Sequence, residues 1–280
     1  MRALAYLAVL ATDTSLSFAL SRLQNEKAQA RIRDRTLLTD QVRLLEVLFA
    51  TVNDWNWWPQ NKALAPVLSS LAPRLRGVAE ELMNAPAVAS WWQPLDRSQQ
   101  IWVHGPGSSP TERSLEAHFK PLHPWASKPA GGFWTSTALL PLPSMWVLNH
   151  EHSNVPKRSV WRLPLQESTK VWEIDGTRSW IELCRQYPDD TTQTYRDQWR
   201  EWGLSQDRVV TPNWERVAED WDGVHLSMGG LLTTEGVLLD VGDGGTMLEG
   251  WGCEGTLWLR WTFDPPERLP DWPEGPDWYP

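Results

Sequence analysis

Long apolar runs and clustered cysteines are both missing from this 280-residue sequence. No apolar run approaches the roughly 18 residues that a membrane-spanning helix needs, so we expect no membrane partner. The only two cysteines, Cys184 and Cys253, are far apart and form neither a CxxC pair nor a metal-binding spacing. One disulfide could join them, but two buried thiols fit the pattern better. These absences argue against a membrane protein and against a disulfide-stapled domain.

Basic residues are also fewer than acidic ones, with 26 Lys and Arg against 35 Asp and Glu, which gives a net charge of -9. Proteins that bind nucleic acid through its phosphates usually carry a basic stripe. The nearest candidate is Arg31, Arg33 and Arg35, whose alternating positions would spread the three charges around a helix. We therefore expect no strong non-specific binding of nucleic acid.

Targeting signals are weak. Residues 3–11 form a short apolar stretch behind Arg2, but it continues into Asp13 without a clean cleavage site. The sequence contains no Asn-x-Ser/Thr sequon. A buried first helix explains the stretch better than a signal peptide does, and the sequence predicts a cytoplasmic protein.

Phenylalanine and tyrosine are scarce, at 5 and 4 residues, while tryptophan occurs 21 times. Tryptophan adds a large apolar surface and one N–H donor that needs a partner when it is buried. Most of these side chains are expected to form the core in place of Phe and Tyr. A few could line a site for a flat or sugar-like ligand.

The pattern of apolar residues divides the chain near residue 98. Before it, apolar residues recur every three or four positions over 37–49 and 65–83, which predicts helices. After it, short β-prone runs alternate with glycine and proline. The sequence thus predicts a helical domain over 1–98 and a tryptophan-rich α+β domain with a mainly antiparallel sheet over 99–280.

Individual elements can be placed within the second domain. The predicted strands cover 101–103, 131–137, 171–174, 223–227, 237–241 and 256–263. One helix is predicted over 179–187 and another from Asn213. The last 17 residues, rich in proline and tryptophan, are expected to form an extended tail packed on the surface.

Several common catalytic motifs are absent, namely the Walker loop, HExxH and Gly-x-Ser-x-Gly. His150 and His152 flank Glu151 and could touch a metal, but no third ligand is evident. We therefore expect no metal site.

Three segments combine glycine, aromatic, hydroxyl and ionisable residues at the ends of predicted strands. The first is 102–105, which reads Trp-Val-His-Gly. The second is 131–137, an aromatic pair followed by Thr-Ser-Thr. The third is 252–256, where Glu254 begins the last apolar strand. In this order the segments resemble the mono-ADP-ribosyltransferase superfamily, over about residues 100–263.

The resemblance implies a split β-sheet body behind a helical region, with NAD as a dinucleotide substrate. His104 and Glu254 would be the catalytic residues. His104 would hydrogen-bond the adenosine ribose and the Gly105 backbone would hold the nicotinamide carboxamide. Phe133 or Trp134 would lie against the nicotinamide ring.

The remaining roles concern the glutamate. Ser136, together with Thr135 or Thr137, would hydrogen-bond and orient Glu254. Glu254 would hold the 2′-hydroxyl of the nicotinamide ribose. The chain departs from the family in its Thr-Ser-Thr order, in the lack of a Tyr in the second segment, and in Gly252, where arginine-modifying members carry Glu or Gln. An arginine acceptor is therefore not expected, and the acceptor is unknown.

Plainer explanations exist for each segment. His104 could be a turn residue, Thr-Ser-Thr a half-exposed strand, and Glu254 a strand end with Glu249 as its rival. Asp222 and His225 form a different acid–base candidate before a strand. At the level of function, the alternatives are a non-catalytic binding module, with 1–98 docking to a protein partner, and a carbohydrate-active protein.

Overall fold

The computed structural model describes residues 84–116, 127–129, 132–139, 144, 158–193 and 207–272. Contacts between Cα atoms divide the chain into two units, Met1–Trp91 and Trp92–Pro280. The helices predicted before residue 84, the arginines at 31–35 and the histidines at 150 and 152 lie outside the described residues. In the first unit the structure describes a 3-10 turn at Pro86–Val88. The second unit contains every segment that the sequence singles out for chemistry.

A seven-stranded mixed sheet forms the body of the second unit, in the order β11-β3-β1-β2-β10-β7-β4. All neighbouring pairs are antiparallel except β4 and β7, which are parallel. The strands are β1 (Gln100–His104), β2 (Phe133–Thr137), β3 (Arg158–Arg162), β4 (Val171–Ile174), β7 (Gly223–Leu226), β10 (Gly255–Trp258) and β11 (Glu267–Trp272).

Two small ribbons and four helices complete the described part of this unit. The ribbons pair β5 (Pro188–Asp190) with β6 (Val210–Pro212), and β8 (Leu239–Asp240) with β9 (Gly245–Thr246). The helices are α1 (Glu112–Glu116), α2 (Thr177–Gln186), α3 (Trp214–Asp220) and α4 (Met228–Thr234).

The strands β1, β7 and β10 are buried on both faces along almost their whole length, and successive side chains of a strand point to opposite sides. On β1, Trp102 packs into a cluster of aromatic and aliphatic residues that includes Phe133 and Trp258. Ile101 and Val103 lie on the other side and pack with Val160. The predicted role of tryptophan in the core is confirmed, since the largest fully buried side chains are four tryptophans: Trp91, Trp180, Trp251 and Trp258.

Helix ends follow local capping chemistry. The Asn213 side chain accepts from the Arg216 N–H at 3.0 Å and begins α3, and Ser227 accepts from the Gly230 N–H at 3.0 Å and begins α4. Gly230 also allows α4 to approach β4 closely, because a Cβ at this position would lie 2.1 Å from the Ile174 carbonyl oxygen. The helix is therefore held directly against the sheet.

The predicted mixed body is confirmed in its coarse form, and several details differ. The expected surface tail is in part β11, an edge strand that pairs with β3. The predicted strand over 237–241 is reduced to the two residues of β8, and that over 256–263 ends at Trp258. β3 and α4 were not predicted. No helix in the described part of the chain is long and apolar enough to cross a membrane.

Candidate active site

Glu254 lies immediately before β10 and is almost completely buried, with 5% of its side chain exposed. Its carboxylate accepts a hydrogen bond from the Ser136 hydroxyl at 2.6 Å. The Thr137 hydroxyl donates to it at 2.9 Å and the Thr137 N–H at 3.1 Å. The predicted contact between the hydroxyl segment and this glutamate is therefore present, and it joins two neighbouring strands, β2 and β10.

A histidine also binds this carboxylate. His225 Nε2 lies 3.1 Å from Glu254 Oε1, and His225 Nδ1 lies 2.5 Å from Glu173 Oε2. The Leu95 N–H donates to the other Glu173 oxygen at 3.1 Å. The imidazole thus bridges two carboxylates, one buried and one with 34% of its side chain exposed. We call Glu173, His225 and Glu254 the carboxylate–imidazole triad.

The triad follows from strand register. In the parallel pair β4–β7, Glu173 is directly opposite His225, and in the antiparallel pair β7–β10, His225 is opposite Thr256. Directly opposed residues point to the same face of a sheet. The sequence suggests Asp222 as the partner of His225, but Asp222 accepts from the Lys170 N–H at 2.8 Å. The sequence feature that could have indicated the triad is a glutamate and a histidine, each inside a short and otherwise apolar strand.

The charges of the triad support one another. Burial alone would lower the pKa of His225, but its hydrogen bonds to Glu173 and Glu254 and their negative charges outweigh this effect and raise the pKa to about 9. Burial would raise the pKa of Glu254, but the hydrogen bond and charge of His225, with the Ser136 and Thr137 donors, lower it instead. At neutral pH the site therefore holds an imidazolium beside an ionised Glu254.

A buried polar network supports the same region from β1. The Gln100 carbonyl oxygen accepts from the Thr135 hydroxyl at 2.5 Å and from the Thr256 hydroxyl at 3.3 Å. The Gln100 amide donates to the Thr137 hydroxyl at 3.2 Å, and Trp258 Nε1 donates to the Thr135 hydroxyl at 2.7 Å. Each hydroxyl in this network has a defined direction, so the donors that face Glu254 are fixed before any ligand arrives.

The first predicted segment, which ends with His104 and Gly105, lies at the other end of β1 from the Glu254 site. His104 is exposed, its ring stacks on Trp102 with centroids 4.9 Å apart, and its Nδ1 lies 3.0 Å from the Ser108 hydroxyl. Because Gln100 is opposite Thr137, His104 is four residues along β1 from the Glu254 site, or ~13 Å. Gly105 follows in the turn after β1. The structure thus brings Ser136, Thr137 and Glu254 together and leaves His104 and Gly105 apart from them.

The two aromatic candidates differ in accessibility. Phe133 is 2% exposed, and its ring packs against Trp102, Trp261 and Phe263. Trp134 is half-buried and makes an edge contact with Trp251, while Lys128 Nζ lies 5.2 Å from the centre of its ring. Of the two residues predicted to stack on a nicotinamide ring, Trp134 is the one whose ring is still partly accessible.

A cleft opens beside the exposed end of the triad. Its volume is about 870 Å³, and Glu173 is part of its wall. Charged and aromatic side chains line much of the remainder, including Arg97, Lys170, Tyr187, Asp220 and Trp221. The Arg97 guanidinium is held by the carbonyl oxygens of residues 166, 167 and 169. The cleft exposes Glu173 to solvent, and Glu173 is linked to the buried Glu254 through the hydrogen bonds of the His225 ring.

Within the described residues, no group of three or more His, Cys, Asp or Glu side chains could hold a metal ion. Cys184 and Cys253 are both buried and form no disulfide, which confirms the expected thiols. No protein-family model, curated protein or solved structure matches the chain.

Proposed function

We propose that the chain cleaves the bond between nicotinamide and ribose in NAD, as the ADP-ribosyltransferases that it resembles do. The observation that carries the proposal is the carboxylate of Glu254, held by the hydroxyls of Ser136 and Thr137 on the neighbouring strand. The resemblance predicts this contact between residues 117 or more positions apart in the chain. The three segments also lie on adjacent strands, β1, β2 and β10.

The chemistry needs a carboxylate at this point. When the C1′–N1 bond breaks, its electron pair moves to the pyridinium nitrogen, and nicotinamide leaves as a neutral molecule. Positive charge then develops on the ribose, as it does in glycoside cleavage. A fixed carboxylate stabilises that charge without reorganising, which is the main way enzymes lower such barriers. An acceptor oxygen bonds to C1′ and loses its proton; with water as the acceptor, the products are ADP-ribose, nicotinamide and H⁺.

The proposed position of the substrate follows from the sites at the two ends of β1. Glu254 would accept from the 2′-hydroxyl of the nicotinamide ribose, with Trp134 beside the nicotinamide ring. Its oxygens already accept from several protein donors, so a ribose hydroxyl replaces one of these donors rather than adding to them. His104, ~13 Å away along β1, would bind the adenosine ribose at the other end of the dinucleotide. Gly105 is next to His104 and is therefore too far from Glu254 to hold the nicotinamide carboxamide, so it loses that predicted role.

The test is release of nicotinamide from NAD, followed by chromatography, together with calorimetric titration of NAD. Glu254→Gln keeps the shape of the side chain but removes its charge, so we expect NAD binding to persist and release to be lost. Ser136→Ala leaves the carboxylate with its Thr137 and His225 contacts and should reduce release less. Glu267→Gln is the matched control, because Glu267 is exposed and pairs with Arg162. Equal rates in all three variants would remove Glu254 from the mechanism.

A non-catalytic binding module is the second candidate function, and the cleft beside Glu173 favours it. Concave sites lined by apolar and aromatic side chains with a few polar groups are the usual binding sites of proteins. On this reading the triad stabilises the cleft wall and has no substrate of its own. Absence of both NAD binding and nicotinamide release from the wild-type chain would favour this function over the first.

A further inference from the structure

The triad contains one charge more than a buried ion pair needs. His225 and Glu254 alone would form a neutral pair, since an imidazolium at 3.1 Å offsets the carboxylate. Two buried partners of opposite charge satisfy each other. Glu173 adds a second carboxylate at 2.5 Å on the other side of the ring and makes the whole group negative. This extra charge calls for an explanation.

A neutral pair is poorly suited to the proposed reaction. The attraction between Glu254 and a developing ribose cation is reduced by the positive charge of the adjacent imidazolium. Glu173 restores a net negative charge to the triad through the same ring. It also fixes the ring, because Nδ1 is held by Glu173 while Nε2 faces Glu254, as outer partners fix the histidine ligands of metal sites.

We propose that Glu173 is a positioning residue for Glu254, acting through His225 by orienting the imidazolium and by giving the triad the net negative charge that the reaction uses. This inference rests on the proposed cleavage of NAD. Glu173 is one-third exposed in the cleft and does not itself touch Glu254, so its effect passes through the histidine ring.

Among the described residues, His225 makes ionic contacts with Glu173 from β4 and with Glu254 beside β10. Its neighbour in register on β10 is the neutral Thr256. Glu173 shares the cleft with Arg97, Lys170, Tyr187 and Asp220. Glu267 lies on β11, at the opposite edge of the sheet from β4, and pairs with Arg162. It provides a matched control outside the cleft.

The experiment compares Glu173→Gln with Glu267→Gln in the full chain, with NAD as the substrate. We expect Glu173→Gln to lower kcat for nicotinamide release by about 10- to 100-fold, the range seen when partners of directly acting ligands are removed, with little change in KM. The loss should be largest at acidic pH, where His225 carries a proton in both chains, and should shrink as the pH rises and the imidazole of the variant loses its proton. Glu267→Gln should change neither the rate nor its pH dependence.

A second readout does not depend on activity. NMR of histidine-labelled protein, with the His225 signal identified by its loss in His225→Gln, follows protonation of the ring directly. We expect the pKa of His225 to fall in Glu173→Gln and to stay unchanged in Glu267→Gln. If the wild-type chain releases no nicotinamide while the pKa still falls, the proposed function fails and the coupling stands. An unchanged pKa, or the same loss of kcat in both variants, overturns the role of Glu173.

Discussion

Replacement of His225 by Gln gives a prediction whose size follows from the structure. The pKa of His225 rises from 6.5 in the unfolded chain to about 9 in the fold, where burial is outweighed by its bonds to Glu173 and Glu254. A group whose pKa is raised on folding stabilises the fold fully below its unfolded pKa. This stabilisation is lost as the pH rises through the folded value. One pKa unit corresponds to 1.36 kcal/mol, so the loss between pH 6.5 and 9 is about 3 kcal/mol.

The assay can be restricted to the second unit of the chain, because both cysteines lie there and both are buried. Burial also raises the pKa of the Cys184 thiol to about 12, so the thiol is inert in the folded protein. Urea unfolding at a series of pH values, followed by a brief alkylation pulse at one fixed pH, measures the fraction of chains with exposed thiols. The free energy of unfolding follows from the urea dependence.

The difference between the wild type and His225→Gln is the quantity to be measured. Burial also raises the pKa of Glu235 and Glu249, and both carboxyls destabilise the fold as they ionise with rising pH. Subtracting the free energy of unfolding of the variant from that of the wild type removes their contribution, because both chains contain these two carboxyls. We expect the advantage of the wild type to shrink by about 3 kcal/mol across this range, and His104→Gln, at an exposed histidine, to behave as the wild type. A difference that is independent of pH would refute the bridging imidazolium.

Two further variants test the packing that holds the site. Gly230→Ala places a Cβ against the Ile174 carbonyl oxygen and should destabilise the second unit by about 1–3 kcal/mol. Gly105→Ala, whose Cβ would make an ordinary contact with the Ser108 hydroxyl at 4.0 Å, should stay within about 0.5 kcal/mol. Equal urea midpoints of the two variants in the thiol assay would show that α4 does not lie against β4. Trp258→Phe removes the donor to Thr135 and leaves a cavity, and should cost about 1–3 kcal/mol; an unchanged urea midpoint would contradict the buried network.

Local patterns were sufficient to predict much of the body. Val171–Ile174 was predicted as a strand over its full length, since a short β-branched and aromatic run is typical of a buried strand. Asn213 was predicted to begin a helix and caps α3. β11 was missed because prolines in the final segment masked its strand character, and edge strands tolerate proline.

The site was predictable only in part. The order of the three segments was enough to bring Ser136 and Glu254 together, because the resemblance supplied long-range information. Glu173 and His225 could not be paired, because their contact depends on the parallel register of β4 and β7. Nothing in a local sequence pattern fixes which two strands become neighbours. The cleft could not be predicted for the same reason, since its wall is formed by segments on either side of the β4–β7 pair.

The rate of nicotinamide release from NAD tests the central claim most directly. It should be measured for the wild-type chain and for Glu254→Gln, with folding of each checked by the inertness of its two thiols. We expect measurable release by the wild type and a rate about 100-fold or more lower in the variant, because Glu254 would act electrostatically on the transition state. Release that is absent from the wild type, or equal in the folded variant, would contradict it.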